Sequence, residues 1–403
     1  MPTQLIDQQE FRANILAYYG ANPEETQELL AYNQNIFDHT CLKLPLKFPL
    51  PSFPHIAAWE EYVTAGKEIG AFAALRRVLV QLRFPILEGI SQTEAYRSAT
   101  RKGVSVDGMA EATGLLLKQP ERLQLTVHQS LAGAIPVLLT GNREDFVSLV
   151  QALTMRNEPS LVPASMGACI VAGFNNWDRI RRYRKQWQQN SPNCSEAEWT
   201  AEFKRLIPQK ELYQDQFIIL SDGDYSNVSA SDVGLSKQQW RHLSLTIRLE
   251  HECTHYFTRC LFNSMRNNLL DELIADYRGI VAAIGNYRAD WFLRFLGLES
   301  FPDYREGGRL QNYRGQPPLS NGAFKILQIL VKNAAENLQR FDAELNGDLD
   351  QTDTTTSHQL TDINRQTLIL IALTCLTLEE LASEEANLRI QKNMDRFYER
   401  SST

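Results

Sequence analysis

The sequence predicts a mainly helical α+β fold, and three observations lead to this class. Apolar residues recur at helical spacing over most of the chain, almost without interruption from residue 236 onward. Only two short segments, 166–174 and 215–226, have the apolar, turn-bounded character of buried strands. Hydrophobic residues make up 43% of the 403 residues and charged residues 22%, which is typical of a globular protein with a large core.

Composition also narrows the classes of partner. The formal net charge of -7 and the pI of about 5.6 argue against a nucleic-acid or anionic-membrane binder. The longest apolar run, 368–376, is too short to span a bilayer, and the N-terminal residues do not resemble a signal peptide. The 6 cysteines are scattered without a CxxC pair, so we expect reduced core thiols in a cytoplasmic protein with no membrane and no nucleic-acid partner.

The first part of the chain is expected to be a helical region, 1–155, with no functional assignment. Residues 1–45 predict helices joined by turns, and the prolines of 43–55 predict an extended connector. Residues 56–102 have helical spacing, and Asn142 is placed to cap a further helix.

The remainder divides into a core region, 156–300, and a C-terminal helical region, 301–403, expected to flank it. The core begins with the two strands, separated by the basic helical segment "WDRIRRYRKQW". The polar stretch 347–359 predicts a surface loop. Helices are predicted at about 236–263, 269–284, 288–297, 321–346 and 363–398.

The segment "HECTH" contains the strongest chemical pattern. His251 and His255 are four residues apart, so on a helix both imidazoles project from one side and can bind one zinc ion. Glu252 would then reach a water beside the metal without binding the metal, which gives two ligands and a general base. The alternative is an ordinary helix with two solvated or hydrogen-bonded histidines.

The next predicted helix, "LLDELIADYRGIVAAIG", could complete such a site. Glu272 and Asp276 are also four residues apart on one face. A catalytic zinc site needs a third protein ligand and an acceptor that orients a ligand histidine, and these two carboxylates suit the two roles. The alternative is a solvated acidic face of the helix.

"HECTH" followed by "DELIAD" resembles the gluzincin zinc metallopeptidases, thermolysin-like in pattern, over about residues 240–285. The resemblance implies that His251, His255 and Glu272 bind one zinc ion per chain. It implies that Glu252 is the general base and that Asp276 supports the first histidine.

The resemblance also implies a fold. We expect a zincin-like core, with a small sheet packed on the HExxH helix and with N-terminal and C-terminal helical regions around it. The sequence departs from the family at Asp271, which stands where the family has asparagine.

Peptide hydrolysis also needs a group that stabilises the oxyanion, and in gluzincins this is often a Tyr, His or Arg downstream of the zinc helices. The candidates here are Tyr313, His358 and Tyr287, together with Tyr304 and Arg314. Each has the alternative of being an ordinary surface residue.

Two further segments have a functional and a structural interpretation. The strand 215–226 could pair with an extended substrate at a sheet edge, but an ordinary core strand is the favoured interpretation. The arginine-rich segment 173–187 could bind an acidic substrate group, although such runs are more often solvated helix faces.

The sequence therefore predicts a zinc-dependent hydrolase, a metallopeptidase that cleaves a peptide or protein substrate. One alternative is an α-rich interaction or scaffold protein with a structural or vestigial zinc site. Another is a zinc hydrolase of non-peptide amides or esters.

Overall fold

The structure, a computed structural model, describes residues 2–42, 46–190, 195–263, 268–351 and 362–402. These ranges contain fifteen α-helices and one four-stranded sheet, which confirms the mainly helical α+β class. The helices are α1 (Pro2–Tyr18), α2 (Pro23–Tyr32), α3 (Ile56–Ile69), α4 (Ala71–Val78), α5 (Glu94–Lys102), α6 (Arg143–Thr154), α7 (Trp177–Asn190), α8 (Glu196–Leu206), α9 (Lys237–Phe262), α10 (Leu269–Ile284), α11 (Ala289–Leu296), α12 (Asn321–Gln351), α13 (Asp362–Thr374), α14 (Leu378–Ala382) and α15 (Ala386–Ser402). The strands are β1 (Gln124–Ser130), β2 (Gly133–Thr140), β3 (Ala168–Asn175) and β4 (Gln214–Ser221).

The chain forms two compact units. The helical unit comprises Met1–Leu50 and Asp224–Thr403, and the sheet unit comprises Pro51–Gly223. This grouping differs from the three consecutive regions expected from the sequence, which stay a prediction. The sheet belongs to one unit and the helix with both histidines, α9, to the other. The packing of the sheet on that helix therefore also stays a prediction.

The sheet has the strand order β1-β2-β4-β3. β1 and β2 form an antiparallel hairpin, β2 pairs with β4 in parallel, and β3 pairs with β4 antiparallel. Strands β3 and β4 confirm the two predicted strands, whereas the hairpin lies in a region for which only helices were expected. Pro136 lies inside β2 and cannot donate a ladder hydrogen bond. Because a proline argues against a strand, the sequence around it did not indicate β2.

Strand β4 lies in the interior of the sheet, because it pairs with β2 on one side and with β3 on the other. Phe217, Ile218, Ile219 and Leu220 are each at most 1% exposed. The suggestion that this strand pairs with an extended substrate is therefore wrong, and the favoured interpretation as a core strand is confirmed.

The arginine-rich segment forms α7, and its residues Arg179 and Arg182 pair with carboxylates of the sheet unit. Arg179 pairs with the fully buried Asp215 at 2.6 Å. Arg182 pairs with Asp178 at 2.6 Å and also with Glu61. These partners account for the charges without an acidic substrate.

The long helices of the helical unit follow their local sequence with two exceptions. Helix α12 continues to Gln351, so residues 347–351 of the predicted loop are helical, and 352–361 lie outside the described residues. The single helix predicted over 363–398 is three helices. Thr377 and Glu380 form a capping box that starts α14, which explains the first interruption.

Helices α9 and α10 have well-defined ends. Ser236 caps α9 and exchanges hydrogen bonds with Gln239, and Asn268 caps α10. Gly285 ends α10 in the left-handed conformation, as the sequence predicts.

The two helices pack closely against each other at Gly279. A Cβ atom built on this glycine would lie 2.7 Å from the backbone oxygen of Ile247 and 3.1 Å from its Cγ2 atom. A larger residue would force the helices apart, so this contact fixes the distance between the side chains that α9 and α10 present to each other.

Within the described residues, every helix is too short or too polar to cross a lipid bilayer.

Candidate metal centre

Two histidines of α9 turn their Nε2 atoms toward each other. His251 and His255 lie one helical turn apart, and their Nε2 atoms are separated by 3.0 Å. The imidazole planes are nearly perpendicular, at 83°. His251 is 7% exposed and His255 is partly buried, so the space between the rings is shielded from bulk water.

Glu272 of α10 completes a triangle with the two imidazoles. Its Oε2 atom lies 3.6 Å from Nε2 of His251, and its Oε1 atom lies 3.6 Å from Nε2 of His255. Ligands of a tetrahedral zinc ion bound at about 2.0–2.1 Å are roughly 3.4 Å apart, so the three groups match that geometry. Among the described residues these three side chains form the group that could hold a metal ion.

Both imidazoles have a carboxylate behind them. Nδ1 of His251 lies 2.7 Å from Oδ1 of Asp276, and Nδ1 of His255 lies 2.8 Å from Oδ2 of Asp271. A carboxylate accepts hydrogen bonds, so each Nδ1 carries the proton. In the neutral rings each Nε2 then presents a lone pair to the space between the rings, as in carboxylate–histidine–metal arrangements.

The site contains more carboxylates than positively charged side chains. Asp271 and Asp276 are fully buried and Glu272 is 8% exposed. Arg309 is the guanidinium that contacts this group, through Asp276 and, at 3.9 Å, Glu272. With neutral histidines, these three carboxylates carry more negative charge than the one guanidinium neutralises, which is costly without a compensating cation.

This negative environment changes the titration of the site. Burial by itself would lower the pKa of His255, but Asp271, Glu272 and Glu252 outweigh burial and raise this pKa to about 10. Burial would raise the pKa of Asp276, but the charges of Arg309 and His251 hold it at about 2. The protein without metal can therefore hold a proton where a cation would otherwise lie.

Glu252 follows the first histidine and is partly buried. Burial raises its pKa, and Glu272 acts in the same direction, while His251 and His255 oppose the shift. An elevated pKa suits a carboxylate that accepts and returns a proton near neutral pH. Cys253 is buried and is not one of the converging ligand groups among the described residues, which agrees with the expected core thiol.

Two residues that the sequence did not indicate also reach the site. The Tyr225 hydroxyl lies 3.0 Å from Nδ1 of His251 and donates to Oδ1 of Asp276 at 2.5 Å. Arg309 donates to the Tyr225 hydroxyl at 3.0 Å and also to Oδ2 of Asp276. Arg309 and Tyr225 are 84 positions apart in the chain, so no local motif marks the pair.

The residues suggested as oxyanion stabilisers have different surroundings in the structure. Tyr313 is 7% exposed, and burial raises the pKa of its hydroxyl, with the charge of Glu272 acting in the same direction. Tyr287 is 1% exposed and packs against the ring of Tyr277 at 5.3 Å, as a core residue. His358 lies outside the described residues.

The two further candidates have local structural contacts. The Tyr304 hydroxyl donates to the carbonyl oxygen of Gly308 at 2.7 Å. Arg314 donates to the carbonyl oxygen of Leu319 and to Asn321, each at 2.9 Å. Neither residue is brought to the two histidines by these contacts.

Comparison with known proteins gives a family but no activity. A family profile matches residues 14–385, which is most of the chain. The chain belongs to the DUF7005 family. This family is described as one of unknown function. No curated protein and no solved structure matches the DUF7005 chain. All residues of the candidate metal centre lie inside the matched range, so the site belongs to the family region of the chain.

Proposed function

We propose that this DUF7005 protein is a zinc-dependent hydrolase, with His251, His255 and Glu272 as the metal ligands. One observation carries the proposal. The two Nε2 atoms face each other at 3.0 Å while both Nδ1 atoms are engaged by carboxylates. Two opposed lone pairs at this distance repel each other unless a proton or a cation lies between them.

The charge of the site favours a divalent cation. Asp271, Glu272 and Asp276 together carry more negative charge than Arg309 neutralises, even before Glu252 is counted, and a divalent cation would compensate this excess. Nitrogen and oxygen ligands in a tetrahedral arrangement are typical of zinc rather than of magnesium or calcium, which prefer oxygen ligands in larger numbers. Three protein ligands leave a fourth position open, as in catalytic rather than structural zinc sites.

The chemistry proposed is hydrolysis of an amide bond. A bound zinc ion would supply Lewis-acid chemistry, which polarises a carbonyl group and acidifies water. Glu252 would accept a proton from the attacking water and later deliver it to the leaving amine. Tyr313, whose pKa is raised by burial and by the charge of Glu272, is the residue proposed to stabilise the oxyanion.

The substrate proposed is a peptide or protein, and this part rests on the gluzincin resemblance of "HECTH" and "DELIAD". A zincin-like core and a cytoplasmic location belong to the same proposal. A hydrolase of non-peptide amides or esters would use the same zinc ligands and the same base, so substrate screening includes both classes.

Metal content of the purified protein tests the proposal. Elemental mass spectrometry should find about one zinc ion per chain, and His255→Ala and Glu272→Ala should each lose it, because two ligands hold the ion poorly. His242→Ala is the matched control, since His242 lies on α9 but is exposed and is not one of the converging ligands. Absence of metal from the wild type after addition of zinc at neutral pH would overturn the proposal and favour an interaction protein.

A further inference from the structure

The metal centre has an outer layer that the HExxH…ExxxD pattern contains only in part. It consists of Asp276, which is the aspartate of that pattern, and of Tyr225 and Arg309, which lie outside the pattern; all three lie behind the first histidine. These residues come from three separate elements: a 3-10 turn at Tyr225–Asn227, another at Arg309–Tyr313, and helix α10. All three side chains meet within hydrogen-bond distance of one another.

The hydrogen bonds of this layer have one consistent arrangement. Arg309 is always a donor, so the Tyr225 oxygen accepts from Nη1 and donates its own proton to Oδ1 of Asp276. Oδ1 also accepts from Nδ1 of His251, while Oδ2 accepts from Nη2 of Arg309. Both oxygens of Asp276 are thereby engaged, and the carboxylate cannot rotate without breaking a charged hydrogen bond.

Several contacts fix the position of Tyr225 and of the turn that follows it. Its backbone N–H donates to Ser244 of α9 at 3.0 Å, and its ring packs edge-on against Phe295 at 4.9 Å. Ser226 and Asn227 follow with φ of 52° and 56°, a conformation that non-glycine residues rarely adopt. Such strain persists where surrounding contacts hold it, and here Ser226 accepts a hydrogen bond from Arg309 at 3.1 Å.

The guanidinium of Arg309 is largely buried in this layer, and one of its donors is left without a partner in the part of the chain that the structure describes. Its guanidinium stacks over the Tyr225 ring, 5.5 Å from the centroid, and only 14% of its side chain is exposed. Its Nε atom has no hydrogen-bond partner among the described residues. A guanidinium placed here with an unsatisfied donor is unfavourable for folding alone, which suggests that its position serves the site.

We infer that Arg309 and Tyr225 are positioning residues of the metal centre, which hold Asp276 in place and through it fix the ring of His251 for metal binding. The inference rests on the proposed function, because it assigns these residues to the zinc site. Neither residue is a metal ligand. Their effect is on the orientation of His251 and on the charge of the carboxylate behind it.

The test measures zinc affinity by competition with a chromophoric chelator and records the absorption spectrum of the protein loaded with Co²⁺. Arg309→Met should weaken zinc binding by about 10–100-fold, the usual effect of losing an outer-layer partner. It should also change the Co²⁺ spectrum, because the His251 ring is no longer fixed. Arg309→Lys should recover part of the affinity, since an ammonium can pair with Asp276 but cannot bridge Asp276 and Tyr225.

Two variants control for a general effect on folding. Arg305→Met removes a nearby arginine that pairs with Glu299 and donates to the carbonyl oxygen of Arg294, and it should leave affinity and spectrum unchanged. Tyr225→Phe removes a single hydroxyl and should weaken zinc binding about fivefold, with the fold checked by circular dichroism. This variant decides the question if Arg309→Met does not fold.

The outcomes separate the two proposals. Wild-type affinity and an unchanged Co²⁺ spectrum in folded Arg309→Met, or in Tyr225→Phe if Arg309→Met does not fold, would overturn this inference and leave the zinc site intact. A wild-type protein that binds neither Zn²⁺ nor Co²⁺ would overturn the proposed function, and this inference with it.

Discussion

Asp271 accepts a hydrogen bond from Nδ1 of His255 at 2.8 Å, at the position where the thermolysin-like pattern has asparagine. The other oxygen of Asp271 accepts from Thr258 at 3.2 Å. A full negative charge therefore lies behind the second histidine as well as behind the first. This charge makes His255 a more basic ligand than a neutral amide would.

The first prediction concerns this charge. Asp271→Asn should keep the hydrogen bond to His255 through its amide oxygen but weaken zinc binding by about tenfold, the lower end of outer-layer effects. Asp271→Ala should weaken binding further, because Nδ1 loses its acceptor. Chelator competition measures both constants. Equal affinities in the wild type and in both variants would show that Asp271 has no influence on the metal.

The second prediction concerns the general base. Glu252→Gln has nearly the same shape but cannot accept a proton, so it should retain one zinc ion and lose hydrolysis by about 10²–10⁴-fold. Metal content and turnover of a peptide library are measured on the same preparation. Retained turnover in a zinc-loaded Glu252→Gln protein would contradict the role assigned to Glu252.

The third prediction concerns stability. The candidate metal centre lies within the helical unit, so, if zinc binds there as proposed, its removal with a chelator should destabilise that unit. A ligand at about 100 times its Kd stabilises the folded state by about 2.7 kcal/mol, and its removal should lower the corresponding Tm by several degrees. Thermal unfolding with and without chelator measures the shift. His255→Ala should show no shift, whereas the His242→Ala control should behave as the wild type.

The fourth prediction concerns the contact between α9 and α10. Gly279→Ala places a methyl group 2.7 Å from the Ile247 oxygen, which should cost about 1–3 kcal/mol of unfolding free energy and weaken zinc binding. Gly347→Ala is the matched control. It lies in α12 with nothing within 4 Å of its Cβ, so it should stabilise the protein by up to about 1 kcal/mol. Denaturant titration distinguishes the two, and a stabilised Gly279→Ala would be inconsistent with the close packing described.

The fifth prediction concerns His55 in the sheet unit, which is 1% exposed. Burial, together with the charge of Arg179, lowers the pKa of His55 from 6.5 to about 4. Between these pH values the unfolded chain binds a proton that the folded chain does not. The stability contributed by neutral His55 is therefore complete above pH 6.5 and is lost as pH falls to about 4, by about 3 kcal/mol.

Denaturant unfolding at a series of pH values tests this effect. His55→Leu carries no titrating group, so its stability should depend less on pH over the same window. If wild type and variant lose stability in parallel between pH 6.5 and 4, the loss comes from other groups.

The sequence by itself determined the inner part of the candidate site. A helix places residues four apart on one face, so the spacing of His251 and His255, and that of Glu272 and Asp276, already follows from local structure. Local capping residues and Gly285 also set the ends of α9 and α10. The two strands β3 and β4 were predictable because their apolar runs are bounded by turns.

Only the tertiary structure decided what surrounds those residues. Tyr225 and Arg309 reach the site from elements with no distinguishing local pattern, through contacts with residues 26 to 84 positions away in the chain. Likewise the β1–β2 hairpin and the interior position of β4 depend on which strands pair, and local periodicity does not encode pairing. Sequence spacing specifies which side chains share a face of one element, whereas long-range packing decides which elements face one another.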